Sequence, residues 1–135
     1  MTPHFQPGYR ISMLDMLVLV MGIAGAVAAW QSIWWVGFVI LYVLAHFFLF
    51  CNVFRISRVP ELIWACLFVL LASATILAET PGWVGTIVAS LVLTTVLIVR
   101  EIRLPSYHGV AWQYWNPELP QWWDAFVASR KDRAE

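Results

Sequence analysis

Four apolar runs, at about 13–30, 33–54, 61–78 and 83–99, occupy most of the chain, with only a few residues between one and the next. Each is close to the ~20 helical residues needed to cross ~30 Å of hydrocarbon. In lipid the backbone must satisfy its own hydrogen bonds, and continuous rather than alternating hydrophobicity favours helices over a barrel. The sequence therefore predicts an all-α membrane protein with four transmembrane helices.

The joints decide how those helices are strung together. Only Gln31 and Ser32 separate the first two runs, and only Glu79, Thr80, Pro81 and Gly82 the last two. Connections this short force neighbouring helices to run antiparallel. The middle joint, Arg55 to Pro60, is also short, and Pro60 suits a first helical turn, where its missing N–H costs nothing. An up-down-up-down antiparallel bundle is the expected topology.

With that alternation, all eight cationic residues fall on one side: Arg10, Arg55, Arg58, Arg100, Arg103, Arg130, Lys131 and Arg133. The positive-inside tendency then places both termini and the middle joint in the cytoplasm, in what reads as a bacterial cytoplasmic membrane. Trp30, Trp34, Trp35 and Trp83 gather at the opposite ends, where an indole can bury its ring and keep its N–H wet. An arginine ahead of an apolar run resembles an export signal, but this run is long and is followed at once by another, so it reads as a retained first helix.

Composition excludes some functions. Hydrophobic residues make up 61% of the 135, and eight Lys and Arg balance eight Asp and Glu, so nothing draws a nucleic acid. Cys51 and Cys66 show neither CxxC nor Cys/His metal spacing and read as reduced thiols. No GxSxG, HExxH, phosphate-cradling glycine loop or pair of deep carboxylates occurs, so no catalytic residue and no metal site is assigned.

Polar groups inside the runs are the remaining site candidates. His46 is the deepest ionisable residue and could contact a proton or substrate or ligate a haem or pigment; without a second histidine inside any run, a bis-histidine haem held by one copy is not expected. Its bland reading is a hydrogen-bonded structural residue. Asp15, shallow in the first helix, suits the positive helix N-terminus or a pair with a nearby arginine. Thr86, Ser90 and Thr94, four residues apart, line one face of the fourth helix, either for packing or as a polar transport path. Small residues Gly22, Gly25, Ala26 and Ala29 would let a neighbour approach the first helix closely. The second run is ringed with aromatics, some of which must point outward, toward lipid, a partner or a flat ligand such as a quinone.

The chain divides into a four-helix domain, 1–104, and a Trp-rich interfacial tail, 105–135, too polar to span. The tail should begin as an irregular strap over 105–120 and end in a short amphipathic helix carrying Trp122, Trp123, Phe126 and Val127 on one face. Trp112, Trp115, Trp122, Trp123 and Phe126 are the expected interface residues, toward the lipid bilayer or another subunit. The function expected is a small integral membrane subunit mediating assembly, as a homo-oligomer or an accessory subunit of a larger complex handling electrons, quinones or pigments. The alternatives are a small oligomeric transporter or channel using Asp15, His46, Thr86, Ser90 and Thr94, and a membrane enzyme acting on a lipid or quinone.

Overall fold

The computed structural model describes residues 6–133, and all regular structure among them is helical. Four helices are long and apolar enough to cross a membrane: α1 (Met13–Ser32), α2 (Trp34–Phe48) prolonged by a π-helical turn (Leu49–Val53), α3 (Arg58–Ala78) and α4 (Gly82–Ile102). A single turn, α5 (Trp112–Trp115), and a longer helix, α6 (Leu119–Asp132), follow.

Ser12 and Asp15 start α1 with a reciprocal cap. The Asp15 N–H donates to Ser12 Oγ at 3.1 Å, and Asp15 Oδ2 accepts from the Ser12 N–H at 2.7 Å, so two otherwise orphaned donors are satisfied. At the other end Gln31 and Ser32 complete the last turn of α1, and extended Ile33 alone makes the joint, its N–H bonded to the Ala29 carbonyl at 2.8 Å. A hairpin this tight brings backbones together. A Cβ on Gly37 would lie 2.6 Å from the Ala26 carbonyl oxygen and 2.7 Å from Trp30 Cβ, while Gly22 lies against Leu44. Of the small residues on α1, Gly22 and Ala26 thus face α2, but Gly25 has nothing within 4 Å. The residue on which the approach depends is Gly37 of the partner helix.

The core lies between α2, α3 and α4, where Phe50, Trp64, Phe68, Ala72 and Leu97 are buried together. Helix α1 packs on α2 with Ala26 buried and Leu19 and Ala29 half-buried, and leaves most of its other side chains exposed, as an apolar helix bathed in lipid can. At one end of the bundle Trp83 lies 6.0 Å from Trp34 and 6.4 Å from Trp35, and Trp30 lies 6.5 Å from Trp34.

Helix ends differ from the apolar runs by at most three residues, for local reasons. Helix α3 begins at Arg58, so Pro60 is its third residue, still within the turn whose N–H groups have no helical partner. Helix α4 continues through Arg100 and Glu101 to Ile102, where an apolar run would stop at the first charge. Glu101 explains the extension: its Oε1 accepts the N–H of Ser57, the residue capping α3, at 2.9 Å.

Two straps close this end, the first before α1 (residues 6–11) and the second after α4 (residues 103–111). The π turn, bonded Phe54 N–H to Leu49 carbonyl at 2.9 Å, leaves carbonyls that no helical N–H reaches. Asn52 receives the N–H of Arg10 at 3.3 Å and Val53 that of Val110 at 2.8 Å, and the straps join each other through the Gly8 N–H and His108 carbonyl at 2.7 Å. Gly109 fits here because it lacks a side chain, since a Cβ would collide with the Phe54 carbonyl and lie 2.7 Å from Tyr107 Oη. The strap is irregular as expected over 105–111, but Trp112–Trp115 form one helical turn entered through Ala111 at φ 53°.

Candidate functional site

Helical spacing puts Tyr42, His46 and Phe50 on one face of α2, and Trp64 and Phe68 four apart on α3 meet them. The His46 ring is 6% exposed. It stacks on Trp64 with centroids 4.3 Å apart and planes at 16°, and touches Tyr42 at 4.4 Å. Trp64 in turn stacks on Phe68 at 5.2 Å. His46 Nδ1 lies 2.9 Å from the Tyr42 carbonyl; a carbonyl only accepts, so Nδ1 carries the proton and, in the neutral ring, the lone pair sits on Nε2.

Beside this stack runs a seam of hydroxyls. The Ser90 hydroxyl donates to the Ile87 carbonyl at 2.9 Å, so in the 2.8 Å contact between Tyr42 Oη and Ser90 Oγ the phenol is the donor. The Ser90 carbonyl accepts from Thr94 Oγ1 at 2.8 Å and from Trp64 Nε1 at 3.3 Å. Farther along, Thr75 and Thr86 hydroxyls are 2.8 Å apart, and Thr86 reaches the Leu71 carbonyl at 3.4 Å. Thr86, Ser90 and Thr94 therefore share one buried face, and each hydroxyl is bonded within the chain. Asp15 is placed apart from them, in the cap that opens α1.

In the tail, Trp122 stacks on Phe126 at 5.1 Å, Trp123 lies 6.0 Å from Phe126, and the Arg130 guanidinium covers the Phe126 ring at 5.3 Å. These rings are half-buried, as is Trp112. The projecting aromatics are Tyr114, 81% exposed, and Trp115, 54% exposed.

A cavity of about 490 Å³ opens at the strapped end. It lies where the end of α2, the start of α3, the end of α4 and the second strap converge, and Arg55, Arg58, Glu61, Glu101 and His108 line it, with Phe47 and Ile56 among its apolar wall. Arg55 sits in the left-handed region at φ 48°, and its Nη1 donates to the Gln6 carbonyl at 2.6 Å. Burial, with Arg10 nearby, lowers the Arg55 pKa from its ordinary value. Burial also pushes the Tyr107 phenol up to about 12, and its hydroxyl donates to the Val110 carbonyl at 2.9 Å. Cys51 points its thiol at Glu61 Oε1, 3.7 Å away.

Sequence reading did not find this cavity. Its walls come from positions near 51–61 and near 101–108, and only the one-sided placement of charge hinted that these segments meet. Among the described residues no three His, Cys, Asp or Glu side chains gather to hold a metal ion. No protein-family model, curated protein or solved structure matches the chain.

Proposed function

We propose that the chain is a small integral membrane subunit that mediates assembly, its four helices crossing in up-down-up-down order with both termini and the 54–57 joint in the cytoplasm. Three pairings fit this order: Gly22 with Leu44 and Gly37 with Ala26 between α1 and α2, His46 with Trp64 between α2 and α3, and Thr75 with Thr86 between α3 and α4. Hydrogen bonds gather residues 6–10, 52–57 and 101–110 at one end, where the cationic residues among them share an aqueous face.

The observation carrying the assembly reading is the contrast between the bundle interior and its strapped end. Inside, the hydroxyls bond to one another and to carbonyls, which favours a packing seam over a transport path. At the strapped end Tyr114 and Trp115 project from a short turn, their rings in edge contact at 5.3 Å. Exposed aromatics on an ordered segment are the kind of anchor that interfaces bury.

The test is photo-crosslinking from position 115 in the native membrane. A discrete adduct with one partner subunit or a second copy, lost when Tyr114 is changed to Ser, is the expected result. A chain that yields lipid adducts alone and purifies as a monomer would defeat the assembly reading.

A further inference from the structure

The cavity at the strapped end is built from opposite charges in equal number, and that balance selects its ligand. Arg55 and Arg58 face it with Glu61 and Glu101. An anionic headgroup alone would leave two carboxylates opposed to it, and a cation alone would leave two guanidinium groups. A ligand carrying both charges a few bonds apart satisfies both sets. We propose that this cavity binds a phosphate-amine zwitterion, with the phosphate toward the arginines and the ammonium toward the glutamates, as in the headgroup of a phosphatidylethanolamine.

The donors and acceptors suit that division. Arg55 is held in place by the Gln6 and Gly8 carbonyls through Nη1 alone, which leaves the rest of its fork for phosphate oxygens. Arg10 lies within electrostatic reach of Arg55 and adds positive potential there. Glu101, 8% exposed, commits Oε1 to Ser57 and keeps a second oxygen. His108 Nδ1 lies 2.8 Å from the Ser106 carbonyl and must be its donor, so the neutral ring offers Nε2 as a further acceptor for an ammonium N–H. Size and position agree as well. About 490 Å³ lies within the ~300–1,000 Å³ typical of small-ligand clefts. Phe47, on the cavity wall, is 41% exposed on α2, giving an acyl chain an apolar way out.

Native mass spectrometry of the delipidated chain in detergent tests this, with phosphatidylethanolamine, phosphatidylcholine and phosphatidylglycerol offered at equal concentration. One phosphatidylethanolamine per chain is expected to be retained, over phosphatidylglycerol by roughly tenfold, the worth of one charge-assisted bond. Phosphatidylcholine, whose quaternary ammonium has no N–H to give, should also fall behind. Arg58→Gln should weaken phosphatidylethanolamine, and Glu61→Gln should abolish its preference over phosphatidylglycerol. Equal retention of the three lipids by the unaltered chain overturns the proposal, and so does selectivity that neither substitution moves. The first comparison needs no variant, so it decides even where a variant fails to fold. O-phosphoethanolamine separates a lipid from a soluble source: displacement of bound lipid assigns recognition to the headgroup alone, and retention despite excess assigns it to headgroup and chains together. Failure of both lipid and O-phosphoethanolamine to bind rejects the site. The count does not depend on which membrane face the cavity opens toward, nor on assembly, so it fails separately from the reading above.

Discussion

The phenol of Tyr42 donates to the hydroxyl of Ser90 across 2.8 Å, tying α2 to α4 at the point where Trp64 of α3 also reaches the Ser90 carbonyl. Three helices thus meet on one residue. Tyr42→Phe and Ser90→Ala should each lower stability modestly, and their double-mutant cycle should give a coupling of about 0.6 kcal/mol, typical of hydrogen bonds between membrane helices. Unfolding in mixed detergent measures it; strictly additive losses would show that the two hydroxyls do not interact.

Gly37→Leu should splay the α1–α2 hairpin, because even a Cβ there would lie 2.6 Å from backbone. A loss of ~1–3 kcal/mol or more is expected from overpacking. Gly25→Leu is the control, since nothing lies within 4 Å of that position. Thermal melts of the two variants should differ by many degrees, and equal melts would contradict the crossing at Gly37.

Gly109→Ala should detach the second strap. The added methyl collides with the Phe54 carbonyl, and withdrawal of the strap would strip Val53 of its partner, the Val110 N–H. Protease cleavage between 104 and 111 should accelerate while the four long helices remain intact. An unchanged digestion pattern would mean that the strap is held by something else.

His46→Phe should keep the stack on Trp64 and stay within ~1.5 kcal/mol of the unaltered chain, whereas His46→Ala should cost ~2–5 kcal/mol through the space it leaves. If His46 instead ligates a coloured cofactor, His46→Phe bleaches the absorption spectrum of protein taken from its native membrane. Stability and spectrum together separate the two roles.

Alkaline titration should single out Tyr107. Its phenol ionises only near pH 12 because burial disfavours the phenolate, against about 10 for an exposed tyrosine. The folded pKa is the raised one, so the strap's contribution is complete below pH ~10 and is lost as pH climbs toward 12. Ultraviolet difference spectra should show a late tyrosine step that Tyr107→Phe removes; a step that persists in the variant belongs to another residue.

The four long helices were legible because lipid imposes length and continuity on any crossing segment, and the tryptophans of the far end because interfaces favour indole. Asp15 was legible as a residue of the first turn, where the structure puts it in a cap. Gly37 was not, because a glycine that admits a neighbouring backbone has no local signature, and the small residues of α1 drew attention to the other helix. Of the aromatics that ring α2, Phe38, Tyr42 and Phe50 meet rings of α3 and α4, while Trp34 and Phe47 are exposed, and composition alone could not sort one set from the other. The cavity was invisible for a different reason: its charges come from two segments, Arg55 to Glu61 and Glu101 some forty residues on, and each alone reads as a water-facing helix end.

The π turn that ends α2 depends on N–H groups from Arg10 and Val110, one near the first described residue and the other well past the last long helix. During synthesis, therefore, the second helix emerges long before its end is sealed. A ribosome that stalled after the fourth helix would release a bundle with the Val53 carbonyl bare at its rim, a lesion that a membrane quality-control protease could recognise.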